Sequence, residues 1–228
     1  MSDAPQEPGA GSETPQRSDE HRQRIKHTIE KAEKYQKRKE GKHQAEMALI
    51  HRALPLLKEV RTILDAPCGV GRATVMLAKE GYEVTGIDLG EGALELARKA
   101  VAAANVKAVI EKQDLVKLDY ADDQFDAVLC FRLIHHLPTP QHREEIIAEL
   151  CRVAKRYVLI SYLSPLSLTS VKRKLKTRLG IRQTVQHVTP LAELQGYCKQ
   201  QGYRLSKDLA QSLLVHSLHL ALFERNTV

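Results

Sequence analysis

The chain has 228 residues, 43% hydrophobic and 28% charged, with 4% aromatic and no Trp. That is the make-up of a globular protein with room for one domain and an extension. The N-terminus has neither the basic nor the apolar region of a signal peptide, and no apolar run reaches the ~18 residues of a membrane span, so the expectation is a cytoplasmic protein, at most peripheral to a membrane. Of the net charge of +7, residues 21–43 hold nine Lys/Arg against three Glu, and residues 171–182 hold six basic groups and no acid. Two such patches suit an anionic small molecule, an anionic membrane face or nucleic acid, and equally the solvated faces of two helices. Cys68, Cys130, Cys151 and Cys198 form no CxxC pair and sit in or beside apolar runs, which predicts packed thiols and no metal site.

In chain order, residues 1–19 are rich in Pro, Gly, Ser and acids and read as a disordered tail. Residues 20–58 read as a helical lid or extension: a polar helix to about Arg38, a break at Gly41, and a second helix HQAEMALIHRALPLL with Ala45, Leu49, Ile50, Ala53 and Leu57 at helical spacing. From residue 59 to 226 a single domain is expected. RTILDA, YEVTGIDL, VKAVIEKQD, FDAVLCF and YVLISYL read as strands, and GRATVMLAKE, EGALELARKAVAAA and PQHREEIIAELCRVA as the helices between them. Continuous apolar strands alternating with helices predict a doubly wound α/β fold with a mostly parallel sheet. An amphipathic insertion helix follows at about 166–182, then a helix opened by Thr189 as N-cap with Pro190 at its first position. YRLSKDLA and HSLHLALFE, joined without a helix, predict an antiparallel pair at the sheet edge.

In open α/β sheets ligands bind beyond the carboxyl ends of the strands. There the first strand runs into Gly69-Val70-Gly71-Arg72-Ala73-Thr74, in which Thr74 takes the third position of a G-x-G-x-x-G fingerprint and leaves it incomplete. Asp65 stands at the entrance to this turn, Asp88 closes the second strand 19 residues after Gly69, and Gln113-Asp114-Leu115 closes the third. Three consecutive strand ends thus each present an acid. A dinucleotide has no ammonium for Asp65 and brings a pyrophosphate that Asp65 would repel. S-adenosylmethionine has an ammonium, a ribose and an adenine, and no phosphate.

With these residues in view, the chain resembles the class I S-adenosylmethionine-dependent methyltransferases of the broad type 11 group. The likeness lies in ILDAPCGVGRAT, VTGIDLGEGALELAR, KQDLVKLDYADDQFDAVLCFRLIHHL and YVLISYL, over about residues 60–165. It implies a seven-stranded sheet of order 3-2-1-4-5-7-6 with the last strand antiparallel. It implies that Asp65 holds the methionine ammonium and that Ala66, Gly69 and Gly71 line the methionine. It further implies Asp88 on the ribose, Leu89, Gln113, Asp114 and Leu115 around the adenine, and Cys130 and Phe131 along the cofactor.

Methyl transfer from a sulfonium is a direct displacement with a neutral leaving group, so positioning can supply most of the rate. An oxygen acceptor would also use a base of near-neutral pKa. His135 and His136 are the candidates, and Arg132, His187, Tyr35 and Arg38 are candidate substrate residues, with Lys42 and His43 in the same lid segment. The expected reaction is methylation, preferably at oxygen, of a small or lipid- or glycolipid-linked, anionic acceptor. The cationic insertion helix would suit contact with an anionic membrane. Two other classes compete. RNA methylation would use the basic segments, but position 130–133 reads Cys-Phe-Arg-Leu rather than the Asn/Asp-Pro-Pro-aromatic tetrad common in base amino methylation. A scaffold that keeps the fold without catalysis is the other.

Overall fold

The structure is a computed structural model and describes residues 40–165, 187–211 and 217–226. The expected tail, the polar helix before residue 39 with Tyr35 and Arg38, and the insertion helix at 166–182 lie outside these residues. Within them the helices are α1 (Glu40–His51), α2 (Arg72–Lys79), α3 (Glu91–Ala103), α4 (Pro140–Val153) and α5 (Leu191–Gln200). The strands are β1 (Thr62–Asp65), β2 (Glu83–Asp88), β3 (Ala108–Lys112), β4 (Phe125–Cys130), β5 (Ala154–Leu163), β6 (Tyr203–Ala210) and β7 (Leu218–Arg225). Short 3-10 turns occupy Leu54–Leu56 and Ile134–His136.

The strands form one sheet in the order β3-β2-β1-β4-β5-β7-β6, the order expected from the sequence. β1 to β5 pair in parallel, and β7 lies antiparallel between β5 and β6. The continuous apolar runs of β4 and β5 are buried almost throughout because helices cover both faces. On one face Ile146, Ile147 and Leu150 of α4 and Leu194 of α5 pack on Val128, Val158 and Phe223. On the other, Leu49 and Ile50 of α1 and Leu77 of α2 pack on Ile63, Leu129 and Leu159. α4 begins as its sequence dictates: Thr139 Oγ1 accepts the His142 amide at 3.2 Å and Pro140 fills the first turn.

Two local expectations are corrected. Gly41 is itself helical, in the first described turn of α1. A glycine costs a helix at most about 1 kcal/mol, and the burial of Leu49 and Ile50 on the same helix outweighs it. The N-cap of α5 is Pro190, not Thr189, because Pro190 remains extended at φ −62 and ψ 143. Thr189 is buried instead, its amide donating to the Leu163 carbonyl at 3.1 Å.

The parallel register carries Asp65, Asp88 and Cys130, the last residues of β1, β2 and β4, to one edge of the sheet. The glycine turn, α2 and the start of α3 stand over that edge. α1, the helix that precedes β1, reaches it through Met47.

Candidate functional site

Asp65 is 1% exposed. The Thr74 hydroxyl donates to its Oδ2 at 2.6 Å, while Oδ1 is buried with no hydrogen-bond partner. Burial pushes the Asp65 carboxyl up to about 7; the Thr74 hydrogen bonds and Arg72 pull it down, and the Asp88 charge adds to the rise. The residue that spoils the glycine fingerprint therefore has its own task, to orient this carboxylate. Gly86 of β2 leaves room for it, since a Cβ there would come within 2.9 Å of Thr74 Oγ1.

Asp88 takes both ends of the turn. Its Oδ2 accepts the Gly69 amide at 3.0 Å and its Oδ1 the Gly90 amide at 2.9 Å. A carboxylate can accept about four hydrogen bonds in all. The cleft beside these two acids has a volume of about 100 Å³ and is walled by Met47, Asp65, Gly69, Arg72, Asp88 and Arg132, among others including Phe131.

Among the other expected cofactor residues, Ala66 is fully buried and its amide donates to the Leu129 carbonyl at 2.9 Å. Gly71 holds a left-handed φ of 79 before α2. Leu89 follows Asp88 half-buried. The Gln113 amide donates to the Asp88 carbonyl at 3.3 Å, which brings the end of β3 against the end of β2. Asp114 Oδ1 accepts the Val116 amide at 3.1 Å, and Leu115 is buried behind that turn. Cys130 is fully buried, and burial first, then the Asp65 charge, pushes its thiol well above the ordinary range.

The histidines stand apart from the cleft wall. His135 is 0% exposed, and its ring lies against that of the half-buried His136, with centroids 4.2 Å apart. The His135 carbonyl accepts the His187 amide at 2.9 Å, so His187 and the 3-10 turn form one unit. Arg132 does border the cleft, at φ 66 in the left-handed region, with its amide donating to Ser161 Oγ at 2.6 Å.

Thr74, Arg72, Glu46 and Met47 were not among the residues expected at the site. Glu46 is 1% exposed and sits between Arg132, Arg72 and Lys42. A signal for it exists in the sequence: Glu46 precedes Leu49, Ile50 and Ala53 by three, four and seven positions, so a carboxylate lies on the apolar stripe of α1.

Residues 63–157 match the family model described as "Methyltransferase domain". Over 100 residues the chain is 37% identical to the putative methyltransferase YqeM of Bacillus subtilis, covering 43% of this chain and 40% of that protein. Over 95 residues it is 35% identical to the ubiquinone biosynthesis O-methyltransferase of Alkalilimnicola ehrlichii, covering 41% and 38%. The chain thus spans about two fifths of the length of these curated relatives. Among solved structures, the magnesium protoporphyrin IX methyltransferase of Synechocystis with bound SAH superposes with a TM-score of 0.69 at 20% identity, over 82% of this chain and 84% of that one. An S-adenosylmethionine-dependent methyltransferase of Methanosarcina mazei superposes at 0.65 and 23% identity, over 77% and 96%. The sheet order and the matched stretch agree: residues 63–157 are similar to the methyltransferase domain family, and the sheet has the fold of these S-adenosylmethionine-dependent methyltransferase structures.

Proposed function

We propose that this protein transfers the methyl group of S-adenosylmethionine to a small-molecule acceptor, preferably at an oxygen atom, and that the acceptor is anionic and carried on a lipid or glycolipid. The observation that carries the cofactor half is the buried Asp65 carboxylate, with one oxygen held by Thr74 and the other bare beside the cleft. A buried carboxylate in that state calls for a cation. Asp65 would receive the ammonium, with the backbone at Ala66, Gly69 and Gly71 along the methionine. Asp88 would accept from the ribose hydroxyls. Leu89, Gln113, Asp114 and Leu115 would enclose the adenine, and Cys130 and Phe131 the side toward β4.

The acceptor oxygen attacks the methyl carbon, the C–S bond breaks, and its electron pair returns to sulfur as a neutral thioether. The protein's part is alignment and, for an oxygen acceptor, removal of one proton. Of the two candidate bases, His136 has exposed surface and His135 has none. Arg132 gives the cleft a cation suited to an anionic group of cofactor or acceptor, and His187 lies beside the histidine turn as a candidate acceptor residue. The ubiquinone biosynthesis O-methyltransferase relative supports oxygen as the acceptor atom. No helix among the described residues is long and apolar enough to cross a membrane.

Calorimetry with S-adenosylhomocysteine tests the cofactor reading, and absence of binding would sink it. The pH dependence tests Asp65. Its carboxyl rises from 3.8 to about 7 in the fold, so between these values the native state keeps a proton that the unfolded chain has lost. Asp65's contribution to stability is therefore most favourable below about pH 4 and declines through pH 7. An ammonium ligand reverses this by holding Asp65 ionised. Binding at pH 6 is expected to release close to one proton and to be about tenfold weaker than at pH 8, where none is released. Titrations in buffers of different ionisation enthalpy measure this, and equal affinity at both pH values would count against the ammonium assignment. For the acceptor, product is expected from a polyprenylated hydroxybenzoate, a phenol that carries a carboxylate, in vesicles and not from RNA; the reverse would transfer the proposal to nucleic acid.

A further inference from the structure

α1 brings to the cleft a charge that the reaction described above does not use. The Glu46 carboxylate is buried 3.5 Å from Arg132 Nη1, 3.6 Å from Arg72 Nη1 and 3.9 Å from Lys42 Nζ. These are ionic distances, and no hydrogen bond closes on Oε1. A buried carboxylate is costly unless paired, so Glu46 binds α1 to both arginines. Both arginines, and Met47 of α1, also wall the cleft. Arg132 keeps its place from a left-handed backbone, φ 66, anchored on Ser161.

Asp65, whose buried Oδ1 has no hydrogen-bond partner, lines the same cleft. An acid and a pair of guanidiniums lining one cleft are the complement of an α-amino acid, ammonium to the acid and carboxylate to the arginines. Glu46 already holds those arginines. The cleft, at about 100 Å³, also falls short of the roughly 300–1,000 Å³ of a small-molecule pocket. α1 is the wall element of this narrow cleft that is tied there by an exchangeable ion pair.

We infer that Glu46 is an internal stand-in for the carboxylate of the cofactor: α1 latches over the cleft through it and yields when the amino-acid carboxylate takes Arg72 and Arg132. This rests on the reading of the cleft as the seat of S-adenosylmethionine. One carboxylate replaces another, so the ligand gains only the difference between two ion pairs. Affinity is then set by α1 as much as by the cleft, and the latch discriminates between nucleosides with and without the amino-acid moiety.

The test compares S-adenosylhomocysteine with 5′-methylthioadenosine, a thioether nucleoside without the amino acid, by calorimetry on the full chain. Glu46→Gln is expected to bind S-adenosylhomocysteine about tenfold tighter than wild type, the scale of one partly buried ion pair, and to leave 5′-methylthioadenosine unchanged. Glu46→Asp, whose shorter arm draws the charge back from the arginines, is expected to shift in the same direction by less, and serves if the Gln variant folds poorly. Unchanged or weaker binding of S-adenosylhomocysteine overturns the latch, and so does an equal gain for both ligands, which would mean only that α1 has loosened. A wild-type protein that binds neither nucleoside overturns the cofactor reading and the latch together.

Discussion

Asp88→Ala is expected to weaken binding of S-adenosylhomocysteine by at least about 100-fold, to the point of abolishing it in calorimetry. Two hydrogen bonds from a ribose to a carboxylate, each worth roughly 1.5–3 kcal/mol, already account for that loss. The substitution also frees the amides of Gly69 and Gly90, which Asp88 holds at 3.0 and 2.9 Å. A weakened turn and a lost ligand contact would give the same result, so Asp88→Asn is the necessary companion. Asparagine can still accept one amide through its oxygen, but its NH2 faces the other donor. It is expected to melt closer to wild type than the alanine variant while keeping nearly the whole binding defect. Binding that survives in both variants would mean that the ribose lies elsewhere.

The second large effect concerns stability. Gly71→Ala is expected to destabilise the domain by about 2–5 kcal/mol. A left-handed residue with a Cβ costs about 1–2 kcal/mol, and overpacking adds roughly 1–3 kcal/mol. Gly71 has φ +79, and its added Cβ would meet the Cα of Ala97 at 2.9 Å and its Cβ at 3.0 Å. The obstacle is the backbone of α3 rather than a side chain that can turn away. At about 2–4 °C per kcal/mol for a chain of this size, the melting temperature is expected to fall by roughly 5–20 °C. Gly81→Ala is the control: its φ is +93, yet nothing lies within 4 Å of the added Cβ, so it isolates the conformational part. Equal losses in the two variants would show that the α2–α3 contact is easily absorbed.

Both effects arise at a turn visible in the sequence, but only one of its functions was legible there. Gly69 and Gly71 announce a close turn after an apolar strand, and the strand ends at Asp65 and Asp88 follow from the alternation of apolar runs and helices. Thr74 reads as a defect in a phosphate fingerprint, because its meaning depends on Asp65, nine residues earlier and one turn of structure away. His135 reads as a candidate base, because proximity in sequence to Phe131 says nothing of burial; in the fold it is fully enclosed. Gly41 reads as a helix break because propensity is local, whereas the packing that holds α1, Gly41 included, in helical form involves α2 and the sheet.

What the sequence determined by itself is therefore the order of elements, the parallel sheet with its antiparallel edge, and the three acids at consecutive strand ends. Those follow from periodicity and from chain connectivity, which are local or topological properties. The tertiary structure decided which groups share a cleft and in what state. It placed Thr74 against Asp65, raised the Asp65 carboxyl to about 7 by burial, and set Glu46 of α1 between Arg72 and Arg132. Charge interactions and desolvation depend on distance and on exclusion of water, not on separation along the chain. A buried acid on a helix far from the glycine turn can for that reason govern the same ligand.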